Sequence, residues 1–435
     1  MSDDLEAIVT PIPGPRSLEL AATLARTETR GVTYLARDFP VFWESASGAL
    51  VSDVDGNRYI DCTAAFGVAT TGHANPAVVG AIAEQAARLP HGMGDVHPTD
   101  ARTRLLARLA AMAPLDESKI FLCSAGSEAI EFALKSACLA VREPKVLAFA
   151  GGYHGLSYGA LEVCGIAKFR DPWRGQLRGM TTFAPFPDPR HPKSRERSLD
   201  AVAKALKKDS AIGAVVVEPI QGRAGVILPP DGFLPGLREL CTRYGVLLIL
   251  DEIYTGFGRT GTLFACEREA VRPDILCLGK ALGGGFPISA TILCGEVATA
   301  WQPSTGEALH TSTYLGNPMG CAAALANLAE IERYDIPRLA GLREPAIATA
   351  LGALRSQHPA IVDVRGRGML WAVEFADASY ATACVVQSLA RGLMLLQSGL
   401  RGEAVTFAPP PVITDAQLER AFHLLSDVVC DPVLA

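Results

Sequence analysis

The chain has 435 residues, a formal net charge of −6, 49% hydrophobic and 20% charged residues. That length holds two or three units with substantial cores, and the mild acidity argues against a nucleic-acid partner, whose phosphates need a basic face. No apolar run approaches the roughly 20 residues that cross a bilayer, so no membrane partner is expected.

The basic stretch at 190–208 is broken by Ser, Asp and Pro and reads as a solvated loop and helix face. Eleven cysteines, among them Cys62, Cys123, Cys138 and Cys277, form no CxxC and no regular framework. Most lie in apolar runs, where a free thiol behaves as a small hydrophobe. The N-terminus is acidic and soon meets prolines, so it is not read as a signal peptide. Scattered, odd-numbered cysteines without a leader predict reduced thiols and a cytoplasmic protein. The histidines show no ligand spacing, so no metal is expected.

In chain order, a Pro-containing arm is followed by a short helix, SLELAATLART. FWESASGALVSDVDGNRYIDC then alternates apolar and polar residues around an Asp55-Gly56 hairpin turn. From about Asn75, AVVGAIAEQAARL and DARTRLLARLAAMA have helical spacing. Short apolar runs come next, with helices between them: KIFLCS, KVLAFAG, AIGAVVVEPI, GVLLILDEI, DILCLGKA and SATILCG. This is the pattern of an α/β fold with a mostly parallel sheet covered on both faces. After about Asn317, long helices and then GMLWAVEFA predict a smaller C-terminal α/β unit. The expected domains are an N-terminal arm with part of a small domain (1–74), a large domain (75–318) and the rest of the small domain (319–435).

Open α/β sheets bind ligands at the carboxyl ends of their strands. Asp251 ends the buried run VLLILD, where an ionised carboxylate is costly unless a cation offsets it. Alone, it serves equally well as a turn cap. Lys280 ends DILCLGK and enters the flexible run Ala281-Leu282-Gly283-Gly284-Gly285, an awkward place for a solvated surface lysine. Together they match pyridoxal phosphate, which forms a Schiff base with a lysine and needs an acid beside its pyridine nitrogen. A desolvated lysine can also lose its proton and act as a base. Ser124, Gly126 and Ser127 open a run with apolar residues at 130, 133, 134 and 137, so they sit at a helix N-terminus suited to a phosphate. An ordinary Ser-capped helix has the same signature. GGYHG places Tyr153 and His154 directly after KVLAFA, where an aromatic can stack on a ring or simply pack in a loop.

The segments DEIYTGFGRTG (251–261), PDILCLGKALGGGFP (273–287), SAGSEAIEFALK (124–135), GGYHG (151–155), EPIQG (218–222) and TSTYLGNP (311–318) together resemble the class-III, ornithine-type aminotransferases. The likeness runs from about Gly31 to the APPPVI segment. It implies a fold-type-I pyridoxal-phosphate enzyme, a homodimer with active sites at the subunit interface, and a ping-pong exchange of an amino group between an amine or amino acid and a keto acid. By motif position it implies Lys280 as the Schiff-base lysine and Asp251 as the pyridinium partner. It likewise puts Gly126 and Ser127 on the phosphate loop and Tyr153 on the ring-stacking aromatic, followed by His154. Glu218 falls on an active-site glutamate position, and Thr313 on the threonine that reaches the neighbouring subunit's phosphate.

Departures concern the substrate. Relatives that use glutamate or 2-oxoglutarate carry an Arg just before the FAPP-like segment, paired with a Glu in EPIQGE. Here Thr406 stands at the first place and Arg223 at the second. Arg223 either holds a substrate carboxylate itself or is structural, leaving a pocket for a less polar amine. With Phe66 and Thr406 it makes up the expected substrate-side set. Arg365 and Arg367 are further candidates whose simpler reading is structural. Tyr254 stands where many relatives have Gln near the cofactor hydroxyl, and its phenol could donate there. A racemase or epimerase of the same family is the alternative activity, since it would share every cofactor residue and need no 2-oxoglutarate.

Overall fold

A computed structural model describes residues 4–431. The chain divides into two compact units, Pro76–Arg338 and the combination of Met1–Asn75 with Leu339–Ala435.

In the split unit, helix Pro15–Thr27 starts with proline, whose missing N–H costs nothing in a first turn. Strands β1 (Trp43–Ser47), β2 (Leu50–Asp53) and β3 (Arg58–Asp61) form an antiparallel meander. The second turn is the one expected at Asp55-Gly56: Gly56 adopts φ 88°, and Asp53 Oδ1 accepts from the N–H groups of Asp55 and Asn57 at 2.9 Å.

The continuous unit holds β4 (Lys119–Cys123), β5 (Lys145–Phe149), β6 (Thr181–Ala184), β7 (Ile212–Val217), β8 (Leu247–Asp251), β9 (Ile275–Leu278) and β10 (Ser289–Leu293). They make one sheet in the order β4-β10-β9-β8-β7-β5-β6. β5 to β9 pair in parallel, and β10 runs antiparallel to both its neighbours. The six apolar runs all became strands, and the short edge strand β6 joins them. Burial on both faces explains their unbroken apolar character. Alternate residues Ala214, Val216, Ile249, Ile275 and Cys277 pack with Ala129, Ile130, Ala133 and Ala137 of helix Gly126–Val141. On β5, Phe149 meets the edge of Phe233, the first residue of helix Phe233–Tyr244, at 5.6 Å.

The chain returns to the split unit with β11 (Ile361–Arg367), β12 (Leu370–Phe375), β13 (Leu393–Met394), β14 (Leu396–Ser398) and β15 (Ala404–Phe407). Four of them form a sheet ordered β11-β12-β15-β14, while β13 pairs in parallel with β3. Leu351, Trp371, Phe375, Phe407 and Leu425 belong to this unit's core. No helix among the described residues is long and apolar enough to cross a membrane.

Candidate active site

Five of the sequence motifs directly follow the ends of β4, β5, β7, β8 and β9, and four of these strands are successive parallel neighbours. The topology therefore gathers residues far apart in sequence onto one end of the sheet. Asp251, the last residue of β8, is 4% exposed. Its Oδ2 lies 2.7 Å from His154 Nδ1, and its Oδ1 accepts from the Ile253 N–H at 3.0 Å. Because an ionised carboxylate can only accept, Nδ1 carries the proton. Burial opposes a charge on His154, but the hydrogen bond and charge of Asp251 outweigh it and raise the imidazole's pKa.

Glu218 follows β7 and is 6% exposed. It accepts from the Tyr153 N–H at 2.8 Å and from the Gly222 N–H at 3.2 Å, so one carboxylate ties the GGYHG turn to the EPIQG turn. Burial, partly countered by His154 and reinforced by Asp251, pushes its pKa up to about 7. Tyr153 places its ring edge-on to Phe169 at 5.5 Å, and burial raises its phenol.

Lys280 leaves β9 through Gly279 with φ 41°, in the left-handed region that costs a non-glycine residue about 1–2 kcal/mol. Such strain clusters at working sites. Burial lowers the Lys280 pKa, with Asp251 and Glu218 pulling the other way. Its Nζ stands 4.4 Å from the centroid of the Tyr254 ring. Tyr254 thus turns its π face to the lysine, and it packs so closely on Gly222 that a Cβ there would come within 2.3 Å of its Cδ1.

Helix Gly126–Val141 begins at an Ala125 cap that supplies no side-chain cap bond. Its start is fixed from three sides. A Cβ on Gly126 would lie 3.0 Å from Ile253 Cδ1, one on Gly155 would lie 2.5 Å from Ser127 Cβ, and Ser289 Oγ donates to the Ala125 carbonyl at 2.7 Å. Ser124 donates its N–H to Glu128 in the first turn at 2.8 Å. A desolvated amine, a buried carboxylate locked by a histidine, an aromatic ring and a helix N-terminus without a side-chain cap form a donor set that fits a phosphorylated pyridine aldehyde.

The remaining expected residues take other positions in the fold. Thr313 is exposed, in the turn before helix Pro318–Tyr334. Arg223 is the exposed tip of the turn after β7, its guanidinium 6.0 Å from the Phe169 ring. Phe66 and Thr406 belong to the split unit. Phe66 is 66% exposed, on a left-handed turn (φ 46°, 47° and 61° at Ala64, Ala65 and Phe66). Asp61 holds that turn by accepting from the Thr63 and Ala65 N–H groups. Thr406 is buried on β15 and donates its hydroxyl to Ser398 at 2.7 Å. Arg365 bridges Glu374 at 2.6 Å and Asp363 at 2.9 Å, and Arg367 lies 3.8 Å from Glu344.

Sequence reasoning passed over two residues. Arg259 is fully buried and lies 5.9 Å from the Tyr254 ring, adding positive charge that further disfavours protonated Lys280. Its signal was an arginine inside the glycine-rich GFGRTG turn. Gln221 donates to the Ala150 carbonyl at 2.9 Å, a second tie between the two turns.

A mainly parallel sheet with its functional groups at the strand ends, in a chain that also builds a split α/β unit, is the architecture of the fold-type-I enzymes, and solved structures agree. A Bacillus anthracis aminotransferase superposes with a TM-score of 0.89 at 25% identity, covering 97% of this chain and 99% of that one. The ornithine aminotransferase of Toxoplasma gondii ME49 gives 0.85 at 30% identity, covering 95% and 94%. Acetylornithine aminotransferase from Methanopyrus kandleri is 40% identical over 391 residues, 90% of this chain and 95% of that protein. The class-III aminotransferase model matches residues 34–429. The chain belongs to the class-III aminotransferases, a pyridoxal-phosphate-dependent family, and is an enzyme of amino-group transfer.

Proposed function

We propose that this chain binds pyridoxal phosphate at the strand-end cluster and transfers an amino group from an amine or amino acid to a keto acid through Lys280. The observation that carries this reading is the half-buried Lys280 amine at the end of β9, its pKa lowered by desolvation, in one cluster with a buried Asp251 that His154 holds. When bound, the cofactor supplies an aldehyde carbon that takes up the amino group and a ring that withdraws electrons from the donor's α-carbon. Asp251, held by the His154 imidazole, would be the acidic partner of the ring nitrogen. Gly126, Ser127 and Ser124 would hold the phosphate at the helix N-terminus, and Tyr153 would pack on the ring. Glu218 orients Tyr153 through its backbone.

Lys280 Nζ, whose pKa desolvation lowers, takes the proton from the donor's α-carbon and later returns it. While it holds that proton, the Tyr254 π face stabilises the ammonium by about 0.5–2 kcal/mol.

The active form is a homodimer in which Thr313 of each subunit reaches the other's phosphate. Its support is an exposed apolar face in which Leu309 is 80%, Tyr314 63%, Val96 59% and Met93 56% exposed. The two segments of that face are joined by a Thr311–Asp95 hydrogen bond of 2.9 Å and a His91–Tyr314 ring contact at 5.2 Å. The cytoplasm is the proposed compartment, in keeping with eleven unpaired cysteines.

Borohydride reduction of the purified yellow protein, followed by peptide mass spectrometry, tests the assignment. A phosphopyridoxyl adduct on Lys280, absent from Lys280→Ala, is the expected result. An adduct on any other lysine refutes it.

A further inference from the structure

We infer that Arg223 receives a carboxylate of the substrate and so sets a preference for amino acids over plain amines. This deepens the proposed function and rests on that reading of the site.

The turn that carries Arg223 is rigid. Gln221 and Ile227 exchange two backbone hydrogen bonds of 3.0 Å, Val226 donates to the Gly222 carbonyl at 3.1 Å, and Gly222 donates to Glu218. Every residue from 221 to 227 is buried except Arg223. Val226 holds φ 53°, a strained conformation for a β-branched residue, which the surrounding bonds maintain. A well-fixed base with one exposed cationic tip is an arrangement for presenting a charge, not for covering a core.

Its location specifies what the charge meets. The preceding residue, Gly222, packs on the Tyr254 ring, whose face stands 4.4 Å from Lys280 Nζ. The guanidinium lies 6.0 Å from Phe169, which packs against Tyr153, and its positive charge is felt at the Tyr153 phenol. Arg223 therefore stands on the rim of the amine's own site.

A 2-oxo acid carries a carboxylate beside its reacting carbonyl, and an α-amino acid carries one beside its amine. The planar guanidinium fork matches such a group with two parallel hydrogen bonds, which a lysine cannot reproduce. A charged hydrogen bond of this kind is worth about 10- to 100-fold in binding.

The test compares each amino acid that reacts with its decarboxylated amine, such as ornithine with putrescine or alanine with ethylamine, in wild type, Arg223→Gln and Arg223→Lys. The readout is the ratio of kcat/KM between the paired donors, and calorimetric binding of succinate to the cofactor-loaded protein gives a second readout independent of turnover. The inference predicts that Arg223→Gln lowers the ratio about 10- to 100-fold through KM and weakens succinate to a similar degree, with Arg223→Lys in between. A ratio and a succinate affinity within twofold of wild type, with the yellow band intact, overturn the role of Arg223 alone. A wild-type protein that never acquires the band overturns the cofactor reading and this inference with it.

Discussion

Replacing His154 with leucine tests the electrostatic heart of the site. The imidazole and the Asp251 carboxylate are 2.7 Å apart, with side chains 1% and 4% exposed. At that distance and an effective dielectric near 20, two unit charges attract by about 6 kcal/mol. Desolvation offsets part of this, and removing one partner of a buried pair costs about 3–5 kcal/mol, because the other charge is stranded. Leucine fills the space but offers Asp251 no donor, leaving only the Ile253 N–H. For a unit of this size the loss lowers Tm by roughly 6–20 °C. Calorimetry of the cofactor-free protein measures it.

Adding Asp251→Asn to His154→Leu should recover much of the loss, since the stranded charge is then gone. The raised His154 pKa sets the pH dependence: the charge contribution is complete below the unfolded value of 6.5 and is lost as pH rises through the folded value. The gap between wild type and His154→Leu therefore narrows in alkaline solution. A His154→Leu protein that melts with wild type, or a double variant no more stable than the single one, refutes the reasoning.

Gly155→Ala places a Cβ 2.5 Å from that of Ser127 at a backbone φ of 117°. It should cost about 1–3 kcal/mol and loosen cofactor retention, measured by dialysis against phosphate. Glu218 keeps its proton up to about 7 in the folded state against 4.5 unfolded, so the wild type loses roughly 3 kcal/mol of stability as pH rises between those values. Glu218→Gln should flatten that slope in pH-resolved denaturation, and an unchanged slope contradicts the burial argument. Leu309→Asp puts a charge on the exposed face at 80% accessibility and should shift sedimentation toward monomer without unfolding the chain.

The large sheet was legible because strands buried on both faces must be apolar throughout, and β7 is buried along its whole length. β6 was not, because TTFA is a four-residue edge strand with little burial to mark it. Nor does an apolar run encode its direction, so nothing in SATILCG announced that β10 is antiparallel. At the site, Asp251 and Lys280 were legible as charges ending apolar runs. Their supports were not: His154 reaches Asp251 across 97 residues and Tyr153 reaches Glu218 across 65, distances that only the sheet order closes. The left-handed turn at 64–67 was equally silent, since Ala64, Ala65 and Phe66 have no intrinsic preference for it and Asp61 imposes it.

The most direct test of the account is a single half-reaction: cofactor-loaded protein mixed with a panel of amines and amino acids in deuterated water, with no keto acid. Absorbance follows the cofactor and NMR follows the donor's α-position. The account predicts one equivalent of keto product per site, with the cofactor left in its amino form. Deuterium exchange with inversion at the α-carbon, and a cofactor that stays in its aldehyde form, would contradict it.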